Sequence, residues 1–204
     1  MPNWCSNRFQ CWGDDITPFT DKFEKVGKEI KFSFQVHYPR PKELDITSGT
    51  STDTAIAILK HRTGDSKELQ KMMDYEWVKK DNIKTLDELV EKLLLNKENI
   101  NFEEGKQALS NIEKYEYQDW YDWSIANWST KWDACEAEIE NLEKGEMEVR
   151  FETAWAPPEK WFARICKDYP KLSFELKYEE EGMGFLGRMR SSGEGEYHDR
   201  CIDD

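Results

Sequence analysis

No window of the 204-residue chain approaches the ~18 consecutive apolar residues that a membrane-spanning helix needs. The opening MPNWCSNRFQ has no basic stretch leading into an apolar one. Both absences predict a protein that is neither exported nor embedded in a membrane. CxxC spacing is also missing. The five cysteines (Cys5, Cys11, Cys135, Cys166, Cys201) are odd in number, which argues against a disulfide framework and a structural zinc site and points to a reduced, cytoplasmic setting. Histidine is scarce, with His37, His61 and His198 alone, and none lies in the Trp-rich stretch at 120–133. His198, Asp199 and Cys201 lack a second ligand pair, so no metal, cofactor or catalytic residue is expected. Basic residues are outnumbered 29 to 42, giving a formal net charge of −13. That balance repels phosphate backbones and disfavours direct nucleic-acid binding, while it suits solubility or a basic partner surface.

What is present reads as alternating elements. Residues 3–12 form a strand with Cys5, Phe9 and Cys11 on one face and Trp4, Arg8 and Trp12 on the other. Thr17 and Pro18 open a helix carrying Phe19, Phe23 and Val26 and closing at Gly27. Phe32, Phe34, Val36 and Tyr38 alternate with polar residues, which predicts a strand over 30–38. A helical section follows. Short helices are expected over 53–62, from Asp65 and Glu68 through Trp77, from a Thr85/Glu88 capping box, and from Asn101 with Phe102, Leu109, Ile112 and Tyr115 inward. Residues 134–144 read as a helix. Met147 through Trp155 alternate as a strand, Pro157 and Pro158 open a helix bearing Trp161, Phe162, Ile165 and Cys166, and residues 172–178 form another strand before a glycine-broken hairpin. The fold class is α+β: a ferredoxin-like antiparallel sheet with split βαβ topology, built from residues 1–50 and 118–204, with a helical insertion at 51–117.

The densest chemistry lies in WYDWSIANWSTKWD, residues 120–133, which holds four of the nine tryptophans. An indole buries roughly 200 Å² and wants an acceptor for its N–H, so such a cluster is either core or a binding surface. Trp120, Asp122, Trp123, Asn127, Trp128, Lys131 and Trp132 are the candidate ligand- or partner-binding residues. The competing reading packs the indoles inside, with Asp119, Asp122 and Asp133 as hydrogen-bond acceptors. Arg188 and Arg190 could contact an anion or pair with Glu179 and Glu181. Gly182, Gly184 and Gly187 do not open a helix and lack the context of a phosphate loop. Trp4, Arg8, Trp12 and Trp155 form an outward constellation of the kind that stacks bases on RNA-binding sheets, against which the acidic balance argues.

Three stretches, MPNWCSN, YDWSIANWSTKWDA and FETAWAPP leading into Trp161, resemble the YubB-like ferredoxin-fold family, encoded mostly by bacteriophages and plasmids. The resemblance covers roughly residues 1–45 and 118–190. Where that family has NWGTKW, this chain has Ser129 in place of the glycine, which predicts a backbone position without a need for positive φ. The resemblance implies the ferredoxin-like fold, an origin on a mobile element and no catalytic residues. It leads to the expectation of a non-enzymatic accessory protein that binds a host protein with a basic surface, such as a nucleic-acid-binding defence effector, in the manner of an anti-CRISPR. The alternative is a binder that sequesters a small ligand or nucleotide on the Trp-rich stretch.

Overall fold

A computed structural model of the chain describes residues 3–26 and 29–203. Its elements begin with β1 (Trp4–Trp12), α1 (Thr17–Thr20), β2 (Glu24–Val26) and β3 (Glu29–Lys31). Helices α2 (Thr50–Arg62), α3 (Lys67–Met72), α4 (Glu76–Lys80), α5 (Leu86–Leu94), α6 (Phe102–Tyr115) and α7 (Trp120–Trp128) follow. The chain closes with β4 (Cys135–Glu143), β5 (Glu146–Ala154), α8 (Glu159–Asp168), β6 (Ser173–Glu180), β7 (Phe185–Ser191) and β8 (His198–Asp203). It divides into two compact units, Met1–Arg40 with Ser124–Asp204, and Pro41–Trp123.

In the first unit six strands form one sheet in the order β4-β5-β1-β6-β7-β8, every neighbouring pair antiparallel. β1 lies between β5 and β6, which α8 connects, so the split βαβ of a ferredoxin-like α+β domain is in place. Alternation decides the faces. Cys5, Phe9 and Cys11 of β1, Met147, Val149 and Phe151 of β5, and Phe174 and Leu176 of β6 are buried, together with Trp161, Phe162, Ile165 and Cys166 of α8. The Trp161 ring lies 4.8 Å from Phe34, 5.4 Å from Phe9 and 5.7 Å from Phe32 between centroids. Each fully buried ring of this kind contributes about 2–3 kcal/mol by its burial.

Two expected elements near the start are replaced. The helix from Thr17 is a single turn, with Ile16 at the N-cap and the Asp15 carboxylate accepting from the Thr17 N–H at 3.0 Å. Glu24–Val26 then pairs with Glu29–Lys31 as a hairpin. Phe19 and Phe23 are both buried with rings 5.4 Å apart, so a spacing of four that reads as helical is met by one turn and a bend. Gly27 lies outside the described residues. The strand over 30–38 ends at Lys31 and gives way to a 3-10 turn at Phe34–Val36. Asp133 is the reason: it accepts from the Ser33 hydroxyl at 2.5 Å and the Phe34 N–H at 2.6 Å, while the Ser33 oxygen accepts from the Gln35 N–H at 3.1 Å. The donor that a neighbouring strand would need is already taken.

The turn delivers His37 onto Phe19, stacked at 4.4 Å, with Nδ1 3.1 Å from the Tyr169 hydroxyl. Burial first, then the Lys22 charge, lowers its pKa from 6.5 to about 3. The folded state therefore resists a proton that the unfolded chain takes up near pH 6.5. Stability is full above that pH and falls towards pH 3, by up to about 1.4 kcal/mol per pH unit from this group. Urea unfolding across this range checks it, and His37→Gln is expected to flatten the acid limb.

The third replacement is larger. Residues 134–144, which read as a helix, form the edge strand β4 paired with β5. Its register shifts between Ile139 and Asn141, so that Ile139 faces Val149 and Leu142 faces Met147 with Glu140 as the extra residue. A bulge thus puts the two residues opposite core positions of β5 three apart, the spacing of a helix.

In the second unit α2 and α6 pack closely. A Cβ on Gly105 would fall 2.6 Å from the Ala55 Cβ, and the residues α6 buries are Gly105, Ala108 and Asn111. Phe102, Leu109, Ile112 and Tyr115, expected inward, are half-buried, because small residues are what allow the near approach. Asn101 caps α6 through the Glu104 N–H, and Thr85 with Glu88 forms the capping box of α5. The expected helix through Trp77 breaks into α3 and α4 where Tyr75 is extended, and Trp77 is exposed. Asp65 accepts from Lys67 N–H, and no capping box forms there. Ala57, Leu69, Val78 and Leu89 make one core cluster of this unit, with Met72, Met73 and Leu86 around it.

Candidate functional site

The Trp-rich stretch is the helix α7 and the turn after it, and its side chains go to different places. Asp119 is buried and caps α7, its Oδ1 accepting from the Tyr121 and Asp122 N–H groups at 2.9 and 3.2 Å. Asp122 is exposed. Desolvation of its carboxyl, then repulsion from Asp119 and Asp53, raises its pKa, but no base or nucleophile stands with it among the contacts described. Trp123 is buried and Trp120 half-buried against Tyr121. Trp128 is fully buried: its Nε1 donates to the Tyr38 carbonyl at 3.3 Å and its ring meets Phe34 at 5.8 Å. Asn127 is half-buried beside it.

At Ser129 the chain turns with φ +70°, and the N–H closes the helix onto the Ile125 carbonyl at 3.2 Å. The position does adopt the left-handed conformation, contrary to the expectation drawn from its serine. The cost of that conformation falls on the side chain's Cβ, and the hydroxyl accepts from the Lys160 N–H at 3.2 Å in partial return. Ser129→Gly is expected to be neutral or stabilising by up to about 1 kcal/mol, and Ser129→Val to destabilise by about 2 kcal/mol. Opposite signs in urea unfolding check the point.

Beyond that turn Lys131 and Trp132 meet two indoles from elsewhere in the chain, Trp4 of β1 and Trp155 just past β5. The Lys131 ammonium is 4.0 Å from the ring centroids of both Trp132 and Trp155, and Trp132 lies 5.8 Å from Trp4. Trp155 was expected to continue the alternation of β5. Instead it adopts φ +69° and turns outward, its N–H bonded to the Asn3 carbonyl at 3.0 Å. The neighbours hold it there: Thr153 Oγ1 donates to the Ala156 carbonyl at 2.8 Å and Thr130 Oγ1 to the Ala154 carbonyl at 3.3 Å. Trp4 is 41% exposed and Trp155 42%. A left-handed tryptophan is a strained conformation of the sort that clusters at working sites. A shallow groove of ≈ 340 Å³ borders the indoles, lined by Ser6, Cys135, Glu136 and Glu152.

The remaining candidates lie elsewhere on the sheet. Arg188 and Arg190 project from β7, four strands along from β4, and their carboxylate is Glu175 at 3.8 and 4.0 Å, not Glu179 or Glu181. Register explains the change, since Glu175 is opposite Arg190. Gly182 and Gly184 lie in the β6–β7 turn, in which the Glu180 carboxylate accepts from the Gly182 and Met183 N–H groups, and Gly187 lies within β7 opposite Tyr178. Burial pushes the Cys5, Cys11 and Cys166 thiols up to about 12, which leaves them inert at neutral pH. Among the described residues no group of three His, Cys, Asp or Glu side chains could hold a metal ion, and no helix is long and apolar enough to cross a membrane. Sequence reasoning missed Arg150, Lys177 and Arg200, whose outward positions were legible but whose alignment with Arg8 depends on register.

The fold and these side chains describe a ferredoxin-like domain with an outward indole cluster. In agreement, residues 127–204 match the family described as the ferredoxin-like domain in Api92-like protein. The crystal structure of protein Api92 from Yersinia pseudotuberculosis aligns with 100% of this chain and 98% of its own, at 11% identity and a TM-score of 0.43. No curated protein matches the chain in sequence. Neither matched description names an enzymatic activity.

Proposed function

We propose that the chain is a non-enzymatic, YubB-like accessory protein of a phage or plasmid. In this reading it works in the bacterial cytoplasm by binding a basic surface of a host protein, and it acts as an anti-defence inhibitor of the anti-CRISPR kind. The observation that carries the reading is the cluster of Trp4, Trp132 and Trp155 around Lys131, with two of the indoles about two-fifths exposed. Exposed, pinned indoles are the usual energetic anchors of protein interfaces. Lys131 keeps its charge over two of the rings, while the rim that a partner meets is acidic, set by Glu136 and Glu152 beside the cluster and by the net charge of −13. Arginines of a basic partner could stack on the same indoles.

Trp155→Gly separates binding from folding, because glycine accepts φ +69° without strain. The variant is expected to stay within about 1 kcal/mol of the parent in stability. Expression of the parent in a bacterium carrying a CRISPR system should restore phage plating and recover one effector subunit in a salt-sensitive complex, and Trp155→Gly should do neither. Unchanged plating across a panel of defence systems would overturn the proposal. A thermal shift with a nucleotide in place of a protein complex would favour ligand sequestration instead.

A further inference from the structure

The outward residues of the sheet fall into rows, and one row carries the charge that the chain as a whole lacks. Arg8 is in register with Arg150 on β5 and with Lys177 on β6, Lys177 with Arg188 on β7, and Arg188 with Arg200 on β8. Five cations therefore stand side by side on five adjoining strands of a protein with a net charge of −13. Strands lie about 4.8 Å apart, so the row is about 19 Å long. Like charges directly opposite one another weaken a sheet. Along the strands the signs alternate, with Glu148 and Glu175 on one neighbouring row and Glu152 and Glu179 on the other, but across the strands the row is cationic throughout.

Nearby carboxylates cancel the row only in part. Arg8 pairs with Glu148 and Glu140, and Arg150 with Glu140, which balances the β5–β1 end. At the other end a single carboxylate, Glu175, with its side chain only 10% exposed, serves Lys177, Arg188 and Arg190 at 3.0, 3.8 and 4.0 Å. Arg200 adds a further charge and has no anionic partner among the described residues. Glu152 and Glu179 border an open groove of ≈ 920 Å³ over the row. The cationic side chains of Arg8, Arg150, Lys177 and Arg188 remain 51–58% exposed, so their surface pairs are weak and exchangeable. On β1 the same outward face bears Trp4 and Trp12, four residues either side of Arg8, with the Arg190 guanidinium 5.7 Å over the Trp12 ring.

We propose that this row binds a short single strand of nucleic acid, its phosphodiester backbone laid across the strands and its bases against the flanking indoles. Cations spread along about 19 Å do not converge on one small anion; they match a linear polyanion with repeating charges. The acidic remainder of the surface turns away a wide duplex while leaving a narrow strand room on the row. This site goes beyond the protein-binding proposal and shares only Trp4 with it.

Fluorescence anisotropy with labelled DNA and RNA single strands of about eight nucleotides tests it, using the full chain. Binding to five cations is expected to give a log–log salt slope approaching about −3.5, an affinity loss of about fifty-fold between roughly 50 and 150 mM salt. Arg188→Gln with Arg200→Gln should reduce the slope by about 1.4 and weaken binding to all sequences alike. Arg200→Gln alone, at an exposed side chain with no described partner, guards against a folding defect and should reduce the slope by about 0.7. Absence of saturable binding at about 50 mM salt, or an unchanged slope in the double variant, would overturn the proposal. Equal competition by polyglutamate would overturn it too, in favour of an acidic polypeptide. Trp155→Gly should bind the oligonucleotide normally, so failure of host-protein binding and failure of this site are read separately.

Discussion

Trp128→Ala is expected to lower stability by about 3–5 kcal/mol, while Trp132→Ala costs about 1 kcal/mol or less. Only three residues separate the two indoles, and both belong to the same motif, yet their surroundings differ completely. Trp128 is without exposure, gives its N–H to the Tyr38 carbonyl and packs edge-on against Phe34, whose own ring rests on Trp161. Its removal would open a cavity in the aromatic core and leave the Tyr38 carbonyl without that donor. Trp132 is half-buried among Trp4 and Lys131, where solvent replaces most of what is lost. Urea unfolding of both variants at pH 7 checks the contrast, and equal losses would mean that the outward cluster is core rather than surface.

Asp133→Ala is expected to cost about 3–4 kcal/mol, more than most changes at a half-buried polar residue. One carboxylate accepts from the Ser33 hydroxyl, the Phe34 N–H and the Ala134 N–H, the last at 2.8 Å. It thereby joins residues a hundred positions apart and decides that Phe34–Val36 turns rather than extends. Asp133→Asn keeps an acceptor oxygen and should lose about half as much, and Ser33→Ala about 1 kcal/mol. Amide exchange at Phe34, faster in Asp133→Ala than in the parent while the sheet amides are unchanged, distinguishes a local opening from general loosening.

Where one period governs an element, the sequence reading holds. β1, β5 up to Thr153, β6 and the buried stripe of α8 follow directly from alternation or helical spacing, and so does the ferredoxin-like arrangement. Reading failed where a long-range hydrogen bond or a bulge redirected the chain. Nothing local to residues 30–38 announces that Asp133 will take the Phe34 N–H, and nothing local to residues 134–144 announces that Glu140 will be skipped. The outward positions of Trp4, Arg8 and Trp12 were legible for the same reason as the core ones. Trp155 was named among the outward residues while alternation alone placed it inward, and its outward turn rests on contacts from Asn3 and Thr130 to its own segment. The cationic row was invisible because alignment between strands is a property of pairing, and no single segment contains it.

The bulged β4 has a consequence for how copies of the chain behave towards each other. It forms one margin of the sheet, and a regular margin offers free backbone groups to any other strand. Here Glu136, Glu138, Glu140 and Glu143 line that margin, and its two register shifts interrupt the spacing that a second strand would need. A second copy would bring the same negative charge to the same irregular edge. The strand that reads as a helix is therefore also a guard at this edge against edge-to-edge polymerisation into fibres.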